Sequence, residues 1–272
     1  MADTTLNTLY PTTQQGIPFY RSRAFSAYPQ LKQAIFTRNG GISRRPFQSL
    51  NLSYSVGDDP ASVEHNFAAG CAAIEVPPGQ TATCYLVHGA DVLTVTRQNW
   101  QPVMGYADGL ITAEPGIFLY MRFADCTPLL FFDPIRQVVG LTHAGWRGTM
   151  QNVAGATVNA MANLGSHPAD VIAVIGPAIG PCCYEVGAEV MAAAAGVFEQ
   201  PGRLFHRNGR ADHAHFDMWA ANRQQLAAAG VNQIIQSGIC TACHTQEFFS
   251  HRAEHGQTGR FGVILGLTGV TA

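Results

Sequence analysis

One stretch, Gly116 to Trp146, limits the folds open to this chain more than any other: GIFLYMRFADCTPLLFFDPIRQVVGLTHAGW. Its apolar runs are short, follow one another closely, and are broken by Asp, Pro and Gly. LLFF and VVGL lack the alternation of a strand with one wet face. Such runs fit strands in a sheet covered on both sides, so the expected class is α/β (α+β), with many strands and fewer helices.

The rest of the chain fits that expectation. AIFTRNGGIS predicts a strand that ends in a glycine turn at Asn39-Gly40-Gly41. DDPASVEHNFAAGCAAIEV predicts a helix capped by Asp59, with Pro60 in its first turn and Val63, Phe67, Cys71 and Ile74 at helical spacing. CYLVHGADVLTVT predicts two strands around a tight break at His88-Gly89. GTMQNVAGATVNAMANLG predicts one helix capped by Thr149, with Gly165 just past its end. A buried strand at DVIAVIG, a helix from Asp217 to Gly230, and a closing strand, glycine-rich turn and strand from Phe248 complete the pattern. The expected organisation is an N-terminal arm or edge over residues 1–30 and a single catalytic domain over 31–272.

Composition narrows the function classes. Apolar residues make up 47 % and charged residues 12 % of the 272, which argues for a large core and against disorder. The net charge is −2, and Lys32 is the only lysine. A chain like this offers no basic stripe for nucleic acid and no polybasic patch for membrane. The opening residues lack the basic and apolar segments of a secretory signal, so the expected location is cytoplasmic. Seven cysteines, an odd number, fit buried thiols, metal ligands or a nucleophile better than a disulfide framework.

His88, Cys126 and His143 share one local pattern: each follows an apolar run and precedes a Gly or Pro break. Strand ends present side chains to a crevice. Two imidazoles and a thiolate suit zinc with a fourth position left open, and copper accepts the same donors. The plainer alternative is one buried cysteine and two hydrogen-bonded core histidines. Asp125, if extended, points away from Cys126 and either orients a histidine or caps a turn. AGWRGT after His143 opens a helix, where backbone N–H groups and Arg147 favour an anion. Arg38 stands on a second glycine turn. CTACH, residues 240–244, matches the haem-attachment spacing but would need an oxidising compartment. His213 and His215 suit either a metal or a polar loop, and Cys182-Cys183 suits a packed pair.

Several stretches together resemble the YfiH family, also called laccase-domain or polyphenol oxidase-like, whose members are described as purine nucleoside phosphorylases. They are TRNGGIS, PFQSLNLSYSVGDDP, VHGADV, ADGLIT, ADCTPLLFFDP, THAGWRGT, IGPAIGPCCYEVG and CTACHTQEFFSHR. The resemblance implies one zinc on His88, Cys126 and His143. It implies phosphorolysis of adenosine, inosine and methylthioadenosine, with adenosine deamination as a second activity. It also implies a four-layer α/β/β/α fold similar to the catalytic domain of cytotoxic necrotizing factor toxins. Three places depart from the family pattern, one of them Cys243-His244, which lie outside it. Leu86 stands where a glutamine is usual, and HRAEHG follows FFS where Arg-Arg-Asp is usual, so that only Arg252 matches.

Phosphorolysis needs phosphate held against C1′ of the sugar, for which Arg38, Arg147 and Arg252 are the candidates. Asp125 or Glu185 is the candidate proton carrier for deamination. Two alternatives use the same residues: copper-dependent phenol oxidation, and a metal-free cysteine hydrolase or deamidase with Cys126 as nucleophile and His143 as base. The expected partners are a purine nucleoside and phosphate, with a monomer favoured.

Overall fold

A computed structural model describes residues 8–207, 209–210 and 212–269. The chain opens with the strands β1 (Leu9–Gln14), β2 (Ile17–Ser22) and β3 (Leu31–Phe36), followed by helix α1 (Pro60–Ala73). Five strands come next: β4 (Thr81–Tyr85), β5 (Val92–Thr94), β6 (Val103–Tyr106), β7 (Gly109–Thr112) and β8 (Phe118–Phe123). The central apolar runs form β9 (Thr127–Asp133) and β10 (Val138–Ala144), which lead into α2 (Trp146–Met150) and α3 (Val153–Asn163). Then come β11 (Ile172–Ile175), β12 (Glu185–Gly187), α4 (Ala188–Ala195), β13 (Phe205–Arg207) and β14 (His213–Phe216). The last elements are α5 (Met218–Ala228), β15 (Gln233–Gln236) and β16 (Phe261–Leu267).

These strands build a mixed α+β domain. One sheet has seven strands in the order β1-β2-β3-β16-β8-β4-β6, a second has six in the order β15-β11-β9-β10-β7-β5, and a third has three, β12-β14-β13. Both larger sheets mix parallel and antiparallel pairs. The continuous apolar runs are explained by where their two faces go. On β10, Val139 and Leu141 meet Leu119, Met121 and Val263 of the seven-stranded sheet in one apolar cluster. The alternate residue Val138 joins a second cluster with Val158 of α3 and Leu226 of α5. A third cluster packs Cys71 and Ala73 of α1 on Phe36, Tyr120 and Ile264. Phe123, Phe132 and Phe261 are at most 1 % exposed, and burying each contributes about 1.5–3 kcal/mol.

Of the expected N-terminal arm, residues 1–7 lie outside the described residues, and residues 8–30 are tied into this structure. β1 and β2 form a hairpin on the edge of the seven-stranded sheet, and Phe25 and Tyr28 present their edges to Phe132, with centroids 6.2 and 5.0 Å away.

Two local expectations are corrected. The helix after AGWR is broken at Asn152, which has φ +60° and accepts from the Gly155 N–H. The cap is therefore Asn152, while Thr149 lies inside α2 and its hydroxyl accepts from Asn222 of α5. Phe248-Phe249 is not a strand: it sits on a turn in which the Phe248 N–H bonds the His244 carbonyl. Both rings are fully buried, so the apolar pair reflects burial rather than extension. Asp59 caps α1 as expected, accepting from the Ser62 N–H. Among the described residues no helix is long and apolar enough to cross a membrane.

Candidate active site

The register of β10 decides where its histidine goes. His143 lies opposite Pro128 and shares a face with Val139 and Leu141, the face that looks between the two large sheets. Its ring stands 5.5 Å from Phe123 and 5.0 Å from the His88 ring. Cys126 arrives from the residue before β9. His88 arrives from the break after β4, where its φ of +58° turns the chain. One ligand atom from each of His88, Cys126 and His143 lies within 4.8 Å of the other two. His143 is buried, Cys126 half-buried and His88 exposed.

Asp108, on the residue before β7, holds this trio. Its Oδ1 lies 2.9 Å from His143 Nδ1. Its Oδ2 accepts from the N–H groups of Val87, at 3.1 Å, and Gly89, at 2.7 Å. One fully buried carboxylate thus orients a ring and fixes the turn that carries the other histidine, the usual service of a group behind metal ligands. Burial alone would raise the Asp108 pKa, but the three hydrogen bonds hold it below the ordinary carboxylate value.

The two glycines of AGWRG have distinct steric reasons. A Cβ on Gly145 would lie 3.0 Å from His88 Nδ1 and 3.1 Å from Cys126 Sγ. A Cβ on Gly148 would lie 2.7 Å from the Gly89 carbonyl oxygen. The helix start is therefore pressed against the donor atoms and against the turn beside them.

Charge is shared within the trio. Burial pushes the Cys126 thiol up, but the neighbouring His143 and His88 imidazoles bring it down to about 6. Burial also disfavours a charged His143, yet the Cys126 thiolate and Asp108 raise its pKa to about 9. Without a metal the pair is a thiolate beside an imidazolium. Two imidazoles and a thiolate converging in this way fit zinc with one position left for water or substrate, and fit copper as well.

The trio lines a cavity of about 980 Å³. Four arginines line it too: Arg122, Arg147, Arg252 and Arg260. Its aromatic walls include Trp146 and Tyr184, over which the guanidiniums of Arg147 and Arg252 stand at 4.3 and 5.1 Å. Burial, helped by the nearby Cys126 charge, raises the Tyr184 phenol well above its ordinary pKa.

Residues 32–268 match the family model described as multi-copper polyphenol oxidoreductase laccase. The chain belongs to this laccase-like family. It is 39 % identical over 243 residues to the purine nucleoside phosphorylase YlmD of Geobacillus stearothermophilus, covering 85 % of this chain and 88 % of that one. It is 38 % identical over 257 residues to a purine nucleoside phosphorylase of Deinococcus radiodurans, covering 94 % and 95 %. The crystal structure of YlmD from Geobacillus stearothermophilus superposes with a TM-score of 0.90 over 97 % of this chain and all of that one, at 35 % identity.

For this member of the laccase-like family, the structure brings together His88, Cys126, His143, Asp125, Arg147 and Arg252 around one cavity. Arg38 is not among them. Its guanidinium donates to Glu254 at 2.9 Å and to the carbonyls of Thr245 and Gln48, and lies 4.4 Å over the Phe249 ring. Those contacts hold it in a separate cleft, away from the proposed phosphate set. Asp125 orients no histidine: its oxygens accept from the Thr241 hydroxyl at 2.6 Å and the Arg252 N–H at 2.7 Å. The positive φ of Asp125, +83°, breaks the extended geometry on which the histidine reading depended. Leu86 lines the cavity, so the departure from glutamine faces the site. Sequence reasoning missed Asp108, Arg122 and Arg260. Asp108 lies in ADGLIT, where an aspartate just before a buried strand was the available signal.

Proposed function

We propose that this chain is a zinc-dependent purine nucleoside phosphorylase, converting adenosine, inosine or methylthioadenosine to free base and the sugar 1-phosphate. The observation that carries the reading is the convergence of the His88–Cys126–His143 donors and the cavity arginines on one aromatic-walled space. The names of the relatives support it.

In this reaction a phosphate oxygen bonds C1′ as the C1′–N9 bond breaks, and the electron pair leaves with the purine, whose nitrogen is then protonated. The transition state carries positive charge on the sugar. Arg147 and Arg252 are the proposed phosphate ligands, with Arg122 and Arg260 adding positive charge to the same cavity. A guanidinium has five donors, and the Glu185 carbonyl takes one of Arg252's at 2.8 Å. Trp146 and Tyr184 offer faces for stacking the base. Asp108 keeps His143 oriented through its Nδ1, leaving Nε2 to face the other donors. Bound zinc supplies Lewis acidity, the chemistry that also serves adenosine deamination as a second activity. In that reaction Asp125, at the cavity wall, is the proposed proton carrier; Glu185, the other candidate, has its carboxylate on Arg210 at 3.2 Å.

One observation favours a second reading. Cys126, His143 and Asp108 line up as nucleophile, base and orienting carboxylate, the arrangement of a cysteine hydrolase. That reading leaves His88 without a role. The copper reading keeps all three donors but must explain phenol oxidation with a single histidine-containing donor group among the described residues.

The test is base release from adenosine and inosine, with and without phosphate, by the wild type and His143→Ala, alongside metal analysis. Phosphate-dependent release, lost in the variant and on chelation, is the expected result. Hydrolysis of an amide or ester that survives chelation would replace it with the cysteine hydrolase. Phenol turnover that tracks copper content would replace it with the oxidase.

A further inference from the structure

Four more thiols meet outside the cavity. Cys182 and Cys183 lie on the loop that leaves β11, and Cys240 and Cys243 on the loop that leaves β15. Those strands are parallel neighbours, so their loops emerge together. A bridge between Ala178 and Cys240 continues the pairing beyond the strand ends.

The sulfurs of all four lie within 4.8 Å of one another. Cys243 Sγ is 3.5 Å from Cys182 Sγ and 3.4 Å from Cys183 Sγ. In a tetrahedral zinc centre with four thiolates, zinc–sulfur distances of about 2.3 Å set the sulfurs roughly 3.8 Å apart. These two distances are shorter than that edge by roughly 0.3–0.4 Å and far exceed the ~2.05 Å of a disulfide, so a small outward shift of the thiols would admit an ion. A disulfide would also use two of the four, whereas Cys243 approaches both Cys182 and Cys183. The Gly180 N–H donates to Cys240 Sγ at 3.2 Å, a contact that favours a thiolate. The Cys240-x-x-Cys243 half has the spacing of structural zinc sites. The loop on the other side is braced, since a Cβ on Gly180 would meet the Trp219 ring at 2.6 Å. Cys240 is buried, while Cys182 and Cys243 are exposed, so an ion can enter from solvent.

We propose that Cys182, Cys183, Cys240 and Cys243 bind one structural zinc ion, distinct from the His88–Cys126–His143 donors. Four soft thiolates select zinc over the harder divalent ions. Four protein ligands also close the coordination shell, which marks a structural rather than a catalytic ion. Binding displaces the thiol protons to solvent. The ion staples two loops that form part of the cavity wall. Ile179 and Tyr184 line the cavity from one loop, and Thr241 on the other bonds Asp125. The proposal does not depend on which reaction the cavity performs.

The test is metal analysis of reduced protein in three forms: wild type, Cys182→Ser/Cys243→Ser, and His88→Ala/His143→Ala. About one zinc per chain is expected in the His88→Ala/His143→Ala protein, from the four-cysteine group alone. The Cys182→Ser/Cys243→Ser protein should hold one ion fewer than the wild type. Cobalt(II) loaded into the folded histidine variant should give the intense sulfur-to-metal absorption of a tetrahedral thiolate site. That spectrum decides the matter even if the serine variant does not fold. A folded histidine variant without zinc and without that absorption would overturn the proposal. So would an iron chromophore in its place, or a disulfide among the four in protein kept from oxidants.

Discussion

Both groups of proposed metal ligands meet at the same end of the six-stranded sheet, yet they are built differently. The register sets Ala144 opposite Thr127, Ile175 opposite Leu129, and Ile175 beside Gln236. Cys126 and His143 thus leave the sheet beside the four cysteines, and His88 reaches them from the break after β4 of the seven-stranded sheet. The trio has two nitrogens and one sulfur, faces a cavity, and is backed by Asp108. The four-cysteine group has sulfur alone, faces solvent, and bridges two loops. Three mixed donors beside a cavity leave room for a substrate, whereas four thiolates close around an ion. Donor number and softness, rather than position on the fold, separate a site that can react from one that can only hold.

The largest expected effect comes from breaking the trio. His143→Ala should lower phosphate-dependent base release by about 10³-fold, within the range for removing a group at the reacting centre. Cys182→Ser/Cys243→Ser should instead lower Tm and leave turnover within the same order of magnitude. Equal losses of turnover in the two proteins would erase the distinction.

Asp108→Asn tests the support behind the trio. The amide keeps the shape but loses the charge that favours His143 as a ligand. Metal affinity and activity should each fall about 10–100-fold, measured by chelator competition and by initial rates. Gly145→Ala should fall toward the lower end of that range, about tenfold, because its Cβ displaces His88 and Cys126 rather than removing a donor.

Thiol reactivity sharpens the comparison without mutation. In metal-free protein the Cys126 pKa is lowered to about 6, so its thiolate is present above that pH and lost as pH falls through it. Burial and the neighbouring sulfurs raise Cys182 to about 12. Alkylation mapped by mass spectrometry should therefore mark Cys126 before Cys182 at pH 7, with the Cys126 rate rising through about pH 6. A midpoint near the ordinary thiol value of about 8.5 would show that the thiolate–imidazolium pair does not form.

The smallest expected effect on activity belongs to Arg38. Arg38→Ala should leave the KM for phosphate unchanged, whereas Arg252→Ala should raise it. The Arg38 variant should still be less stable, by on the order of 1–3 kcal/mol, because Glu254 and two carbonyls lose a donor. A raised KM in Arg38→Ala would return that residue to the phosphate set.

The strands around His88, Cys126 and His143 were legible in the sequence because apolar periodicity and turn residues act over a few neighbouring positions. The same local signals marked the cap of α1 and the start of α5 at Asp217 and singled out three reactive residues at strand ends. They misplaced the cap of α3, because the chain turns at Asn152 and the Thr149 hydroxyl is taken by Asn222, a partner 73 positions away. What tertiary structure decided were the pairings between distant segments: Asp108 with His143, Asp125 with Thr241 and Arg252, Arg38 with Glu254, and Cys182-Cys183 with Cys240 and Cys243. A carboxylate, a guanidinium or a thiol carries no local mark of its partner. Its role is set by whichever group the sheets bring within about 3 Å, the range over which a hydrogen bond or ion pair selects one neighbour.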